Sequence, residues 1–178
     1  MALVIVLIII AVVVISIIVM SNNLNKALVK IDEADSGIDV ALTKRYDVLT
    51  KMIETVKGYA KHEKEVLFDV VKIRKGMTIE EKNEANKQMD ETLSKINVLA
   101  ENYPDLKASE NFKTLQDSIT DVEEHLQAAR RLYNANISSY NQMIVTFPIS
   151  IIAGTKGLTK REFFVAEEHK KQDVEIKF

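Results

Sequence analysis

Residues 24–73 read LNKALVKIDEADSGIDVALTKRYDVLTKMIETVKGYAKHEKEVLFDVVKI, and their spacing decides the fold. Apolar side chains recur at alternating steps of four and three: Leu24, Leu28, Ile31, then Ile38, Leu42, Leu49, Met52, Val56, Tyr59, Val66, Val70 and Ile73. Asp35, Arg45 and Glu63 fill the remaining positions of the same series. Such steps keep one stripe on one side of a helix, and strand alternation does not fit them. No proline interrupts the run, and Gly76 just beyond it suits a helix C-terminus. The spacing predicts one long helix whose seam carries three charged interruptions.

Upstream, Ala2 to Met20 read ALVIVLIIIAVVVISIIVM, with Ser16 the only polar side chain. At helical rise this run spans ~28 Å, close to the ~30 Å of a bilayer's hydrocarbon. Its Val and Ile would favour strand in water, but a lone strand cannot satisfy its backbone in lipid. Ser16 can bond back to the preceding turn and is cheap to bury. A cleaved signal peptide fits poorly: there is no basic n-region, the apolar run is long, and Ile18-Val19-Met20-Ser21 lacks a small-x-small cleavage pattern. The run therefore predicts a single-pass anchor, with the lipid bilayer as first partner. Lys26, Lys30, Lys44 and Arg45 follow the span and almost nothing precedes it, which places the N-terminus outside and the bundle in the cytoplasm.

Downstream, Thr78 and Glu81 form a T-x-x-E capping box that opens a second helix. Its first half, Glu80 to Gln88, is nearly all polar and reads as solvated. Its second half carries Met89, Leu93, Ile96, Ala100 and Tyr103 on one stripe, up to Pro104. A third helix runs from about Ser109 to Thr146 with the stripe Phe112, Leu115, Ile119, Val122, Leu126, Ala129, Tyr133, Asn136, Tyr140, Met143, Phe147, read as core. Pro148 breaks it. A short apolar stretch follows from Ile149 to Gly154, and Thr159 with Glu162 offers another capping box for a short helix carrying Phe163 and Phe164.

The expected fold is all-α: an N-terminal transmembrane helix continuing into an elongated antiparallel three- to four-helix bundle. The expected organisation is an anchor at 1–21, a bundle at 22–148, and a short apolar segment, short helix and charged tail at 149–178. An up-down-up path leaves a problem. A helix over residues 24–75 spans ~78 Å, while a compact domain of this size has a radius of gyration of ~15 Å. A second helix half as long cannot cover Leu24, Leu28, Ile31 and Ile38. Two readings remain for that stripe. Either the helix breaks at Ser36-Gly37 and the stem folds back, or the stripe pairs with other copies as a homo-oligomer, the preferred expectation.

Composition narrows the chemistry. There is no Cys, hence no disulfide framework and no thiolate metal site. The net charge of −2, from 24 basic and 26 acidic residues, argues against nucleic acid as a partner. The residues three before His62, His125 and His169 are Tyr59, Val122 and Ala166, so no Glu-x-x-His metal pair exists. Glu123-Glu124-His125 reads as solvated charge. No G-x-S-x-G, P-loop or G-x-G-x-x-G is present. No cofactor, metal or catalytic residue is expected, and the chain is read as a non-enzyme. Asp35, Asp39, Arg45, Asp47, Glu63, Arg130 and Arg131 remain as candidate inter-helix or inter-subunit polar contacts, with register-setting pairs inside a bundle preferred.

Several strings together resemble the LemA family. They are Ile38-Asp39-Val40-x-Leu42-x-Lys44-Arg45-x-Asp47, Glu54-Thr55-Val56-Lys57-Gly58-Tyr59-Ala60-x-His62-Glu63, and Tyr103-Pro104-Asp105-Leu106-Lys107-Ala108 before Asn111-Phe112. Ala129-Arg130-Arg131-x-Tyr133-Asn134, Tyr140-Asn141 and Phe147-Pro148 continue the likeness, which extends over nearly the whole chain, anchor included. Ser150 departs from the Asn common after Phe-Pro, and Leu158 from a common Phe. The resemblance implies a bacterial membrane protein with one span and a helical bundle, and no established activity. One homologous branch is associated with magnetosome membranes. The expected function is a membrane-anchored helical scaffold that self-associates and organises membrane or partner proteins. The alternative is a monomeric membrane-tethered adaptor acting through one protein partner.

Overall fold

A computed structural model describes residues 1–59, 70–74 and 76–164. Among these, all regular structure is helical: α1 Ala2–Tyr59, α2 Ile79–Asn102, α3 Pro104–Ala108, α4 Glu110–Val145 and α5 Ile149–Thr155. The described residues fall into two compact units: Met1–Ser36 with Arg131–Phe163, and those of Gly37–Arg130 with Phe164. Both α1 and α4 contribute residues to each.

In the first unit, the apolar run of α1 is the one candidate membrane span among the described residues, and the fold buries none of its most apolar window. Insertion scales credit each Val, Ile or Leu with roughly 0.3–0.6 kcal/mol, so the run favours a bilayer by on the order of 5–10 kcal/mol. Ser16 Oγ donates to the Val12 carbonyl at 2.8 Å, so its hydroxyl is satisfied within the helix. Beyond the span, α1 continues without a break at Ser36-Gly37.

The start of α4's return is fixed by Asn136 Nδ2, which donates to the Lys30 carbonyl at 2.9 Å. Farther along, Lys156 Nζ donates to Ser21 Oγ at 2.6 Å and Asn25 Oδ1 at 3.3 Å. Later residues thus meet earlier ones, and α4 from Arg131 onward runs antiparallel to α1. Leu24 and Ile31 are fully buried here and Leu28 partly so. The expectation that these positions lack an intrachain partner is therefore corrected: the returning chain covers them.

The expected helix at Thr159 to Phe164 does not form; residues 158–164 carry no helix. Instead Tyr140 Oη donates to the Thr159 carbonyl at 3.2 Å, and Asn141 grips Arg161 through both its amide N–H and its carbonyl at 2.9 Å. Side-chain capture of backbone groups outcompetes the local capping box. Phe147, expected in the core, stands 77% exposed, because α4 ends at Val145 and Phe147 lies past its last turn.

The second unit has a conventional apolar core. Leu49, Met52, Ile53 and Val56 of α1 meet Met89, Ile96, Leu99 and Ala100 of α2, Leu106 of α3, and Phe112 and Ile119 of α4. Ile38, the last residue of the stripe left open by the sequence, is likewise fully buried in this unit. The expected capping box is present: Thr78 Oγ1 accepts from the Glu81 amide, and the Glu81 carboxylate accepts from the Thr78 amide. That backbone donor holds the Glu81 carboxyl below the usual carboxylate range.

Two further expectations are corrected in this unit. Residues 70–74 are not helical, so the seam helix does not reach Ile73; Val70 and Ile73 instead pack half-buried against the core without extending the helix. Nor is the path up-down-up. Asp39 pairs with Lys82, and Arg45 farther along α1 bonds Asn86 and Asp90 farther along α2, so the two helices run parallel.

Candidate functional site

Polar residues on three helices of the second unit converge on Arg45. Its seam position places it facing inward, and it is 2% exposed. One guanidinium nitrogen donates to Asn86 Oδ1, and the other to carboxylates of Asp90 and Glu123, the latter at 2.8 Å. Asn86 Nδ2 also donates to Asp90 at 3.3 Å, which orients that carboxylate. Two turns earlier on α1, Asp39 forms an ion pair with the Lys82 ammonium at 2.7 Å, with Lys82 only 1% exposed. An arginine fork suits this task because it can serve several acceptors at fixed angles.

Each cation here is taken out of water and compensated by carboxylates that stay partly solvated, Asp90 at 23% and Glu123 at 34% exposed. Partial exposure of the anions lowers their desolvation cost and keeps the pairing favourable. Arg130 borders the same small cleft and stacks over the Phe164 ring, 4.6 Å from its centroid. Chemically, the arrangement orders three helices in register; two buried cations are neutralised by groups inside the bundle.

The candidate residues named from the sequence divide accordingly. Arg45, Asp39 and Arg130 belong to this unit's polar contacts. Asp47 is exposed on α1. Asp35 and Arg131 lie in the first unit, where Asp35 sits half-buried and its charge adds to burial in pushing the Tyr133 phenol above its ordinary value. Glu63 lies outside the described residues.

Sequence reasoning missed Lys82, Asn86, Asp90 and Glu123. The first half of α2 is not solvated: Lys82, Ala85 and Asn86 are buried. A signal existed, since Lys82, Ala85, Met89, Thr92 and Ile96 continue the three-four spacing upstream. Glu123, read as solvated charge, is an Arg45 ligand because Val122 and Leu126 beside it face the core.

The LemA family model matches residues 34–178, which takes in every partner of Arg45 and begins beyond the apolar run. The family likeness expected to include the anchor is thus carried in this match by the part that follows it. Protein LemA of Metamycoplasma hominis is 30% identical over 159 residues, covering 86% of this chain and 73% of that protein. Magnetosome protein MamQ of Magnetospirillum gryphiswaldense is 26% identical over 72 residues, and MamQ 2 of Paramagnetospirillum magneticum is 28% identical over 72. Those two matches cover 40% of this chain and 26% of each relative, so the chain spans about a quarter of their length. With the family model and the Metamycoplasma relative each matching most of its length, the chain belongs to the LemA family.

Proposed function

We propose that the chain is a membrane-anchored, non-catalytic helical module that holds its bundle beside the bilayer and acts as an adaptor for a protein partner. The observation carrying this reading is the fate of the seam: Leu24 and Ile31 in the first unit, and Ile38, Leu42, Leu49, Met52 and Val56 in the second, are buried within one chain. A seam already covered needs no second copy to hide it. The charge pattern supports the non-catalytic part, because the buried Arg45 and Lys82 are engaged by Asp90, Glu123 and Asp39. Charges committed to pairing are poor candidates for moving protons or holding substrate.

Self-association into a membrane-organising scaffold is the second reading. It is supported by the likeness to MamQ, named as a magnetosome protein. It requires a face other than Leu24, Leu28, Ile31 and Ile38. The full chain in lipid nanodiscs, followed by sedimentation across a wide concentration range, decides between the two. A monomer throughout, recovered with one stoichiometric partner from native membranes, is the expected result. Concentration-dependent higher species would replace the adaptor with the scaffold. The lysines after the span favour the bundle in the cytoplasm. Labelling of single introduced cysteines from one side of the membrane reads this directly.

A further inference from the structure

We infer that the corner joining α4 to α5 makes a second contact with the bilayer, lying in its interface beside the span. The inference rests on the reading that residues 2–20 cross the membrane. Two features of the first unit set the height of this corner. Asn136 bonds the Lys30 carbonyl, and counting nine residues on along α4 and nine back along α1 brings Val145 opposite Ser21. Separately, Lys156 Nζ holds Ser21 and Asn25, within two turns of the end of the apolar run at Met20. Phe147 therefore falls at the level where the span enters lipid.

The chemistry of the corner fits that level. Val145, Phe147 and Ile151 are 58%, 77% and 60% exposed, although they cluster within seven residues. Ala153, on the opposite side of α5, is buried, so the short helix has an inner and an outer face. Between Glu124 and Glu162 the chain contains no carboxylate, and the residues following the corner, Lys156, Lys160 and Arg161, are basic. An apolar projection with basic neighbours suits the boundary between anionic headgroups and acyl chains. In water the same residues would form an exposed patch with nothing to compensate it.

The chain lacks cysteine, so single labelling sites need no background removal. Spin labels at Phe147→Cys, Ile151→Cys and Leu132→Cys are compared in full-length protein in vesicles of phosphatidylcholine and phosphatidylglycerol. Leu132 is also exposed but lies on α4 thirteen residues before Val145, roughly 20 Å nearer the start of that helix. Positions 147 and 151 should show severalfold higher collision with oxygen, and severalfold lower collision with a water-soluble nickel chelate, than position 132. Equal nickel access at all three sites would overturn the inference. So would shielding of 147 and 151 from both reagents, which indicates protein cover. A fourth label at Ile10→Cys separates the causes. Oxygen-rich surroundings there with water at 147 and 151 sink the corner contact alone, and water at Ile10 removes the anchor and the corner together.

Discussion

The two units of this protein are fastened by different chemistry. The second joins its helices through an apolar core and through ion pairs centred on Arg45, where charge meets charge across α1, α2 and α4. In the first, beside buried apolar residues such as Leu24, Ile31, Ile137 and Ile144, neutral side chains capture backbone carbonyls: Asn136 on Lys30, Tyr140 on Thr159, Asn141 on Arg161. An ion pair specifies both partners, because each must carry the right charge at the right height. A captured carbonyl specifies only one, because every residue supplies the other. The ion pairs of the second unit therefore depend on two residue identities, and the carbonyl contacts of the first on one.

The largest expected effect lies in the apolar core of the second unit. Phe112 is fully buried, and Phe112→Ala should cost about 3–5 kcal/mol in chemical denaturation. A loss near 1 kcal/mol would mean that the core collapses readily around the gap.

Arg45→Ala tests the ion network itself. It strands Asp90 and Glu123 near each other without their cation, and should cost about 3 kcal/mol, near the low end for buried pairs because both carboxylates touch water. Arg45→Met, which refills the space, should recover part of that loss if packing contributes. A full-sized loss in both variants assigns the effect to charge.

Asn141→Ala sharpens the contrast from the other side. It removes two exposed hydrogen bonds to Arg161, so the expected change is local. The Arg161 amide should exchange faster by hydrogen–deuterium measurement, while the unfolding free energy stays within about 0.5 kcal/mol of the parent. A global loss would show that the segment of residues 158–164 stabilises more than itself.

The smallest effect is a pH dependence. Burial, and then the negative charge of Asp35, raise the Tyr133 phenol; Arg161 opposes this, and Glu162 and Asp32 add to it. The fold prefers the neutral phenol, so this contribution is fully present below the unfolded value of about 10 and is lost as pH rises through the folded one. Ultraviolet titration should find a phenol ionising above the ordinary range, and Tyr133→Phe should remove that component. The variant should lose little at neutral pH, since its bond to the Glu162 carbonyl is long at 3.4 Å.

Periodicity made much of this legible. The seam from Leu24 to Val56, the Thr78 capping box, the boundaries near Pro104 and Pro148, and Arg45 as an inward-facing polar residue were all present in spacing and residue type. Arg45's partners were harder to find. Asn86, Asp90 and Glu123 sit among polar neighbours, and composition alone made those stretches look solvated. Capture of residues 158–164 by Tyr140 and Asn141 left no mark, because backbone carbonyls are common to every sequence.

By itself, the sequence determined which faces are apolar, where the helix after Thr78 begins, and that the first twenty residues suit lipid better than water. Direction was decided only in three dimensions. An apolar stripe reads the same up or down, so spacing could not say that α2 runs parallel to α1 and that α4 turns back along it. Matching heights of Asp39 with Lys82, and of Arg45 with Asn86 and Asp90, fixed the first. The bond from Asn136 to Lys30 and the reach of Lys156 to Ser21 fixed the return. Those are relations between distant residues, and they exist only once burial has brought the helices together.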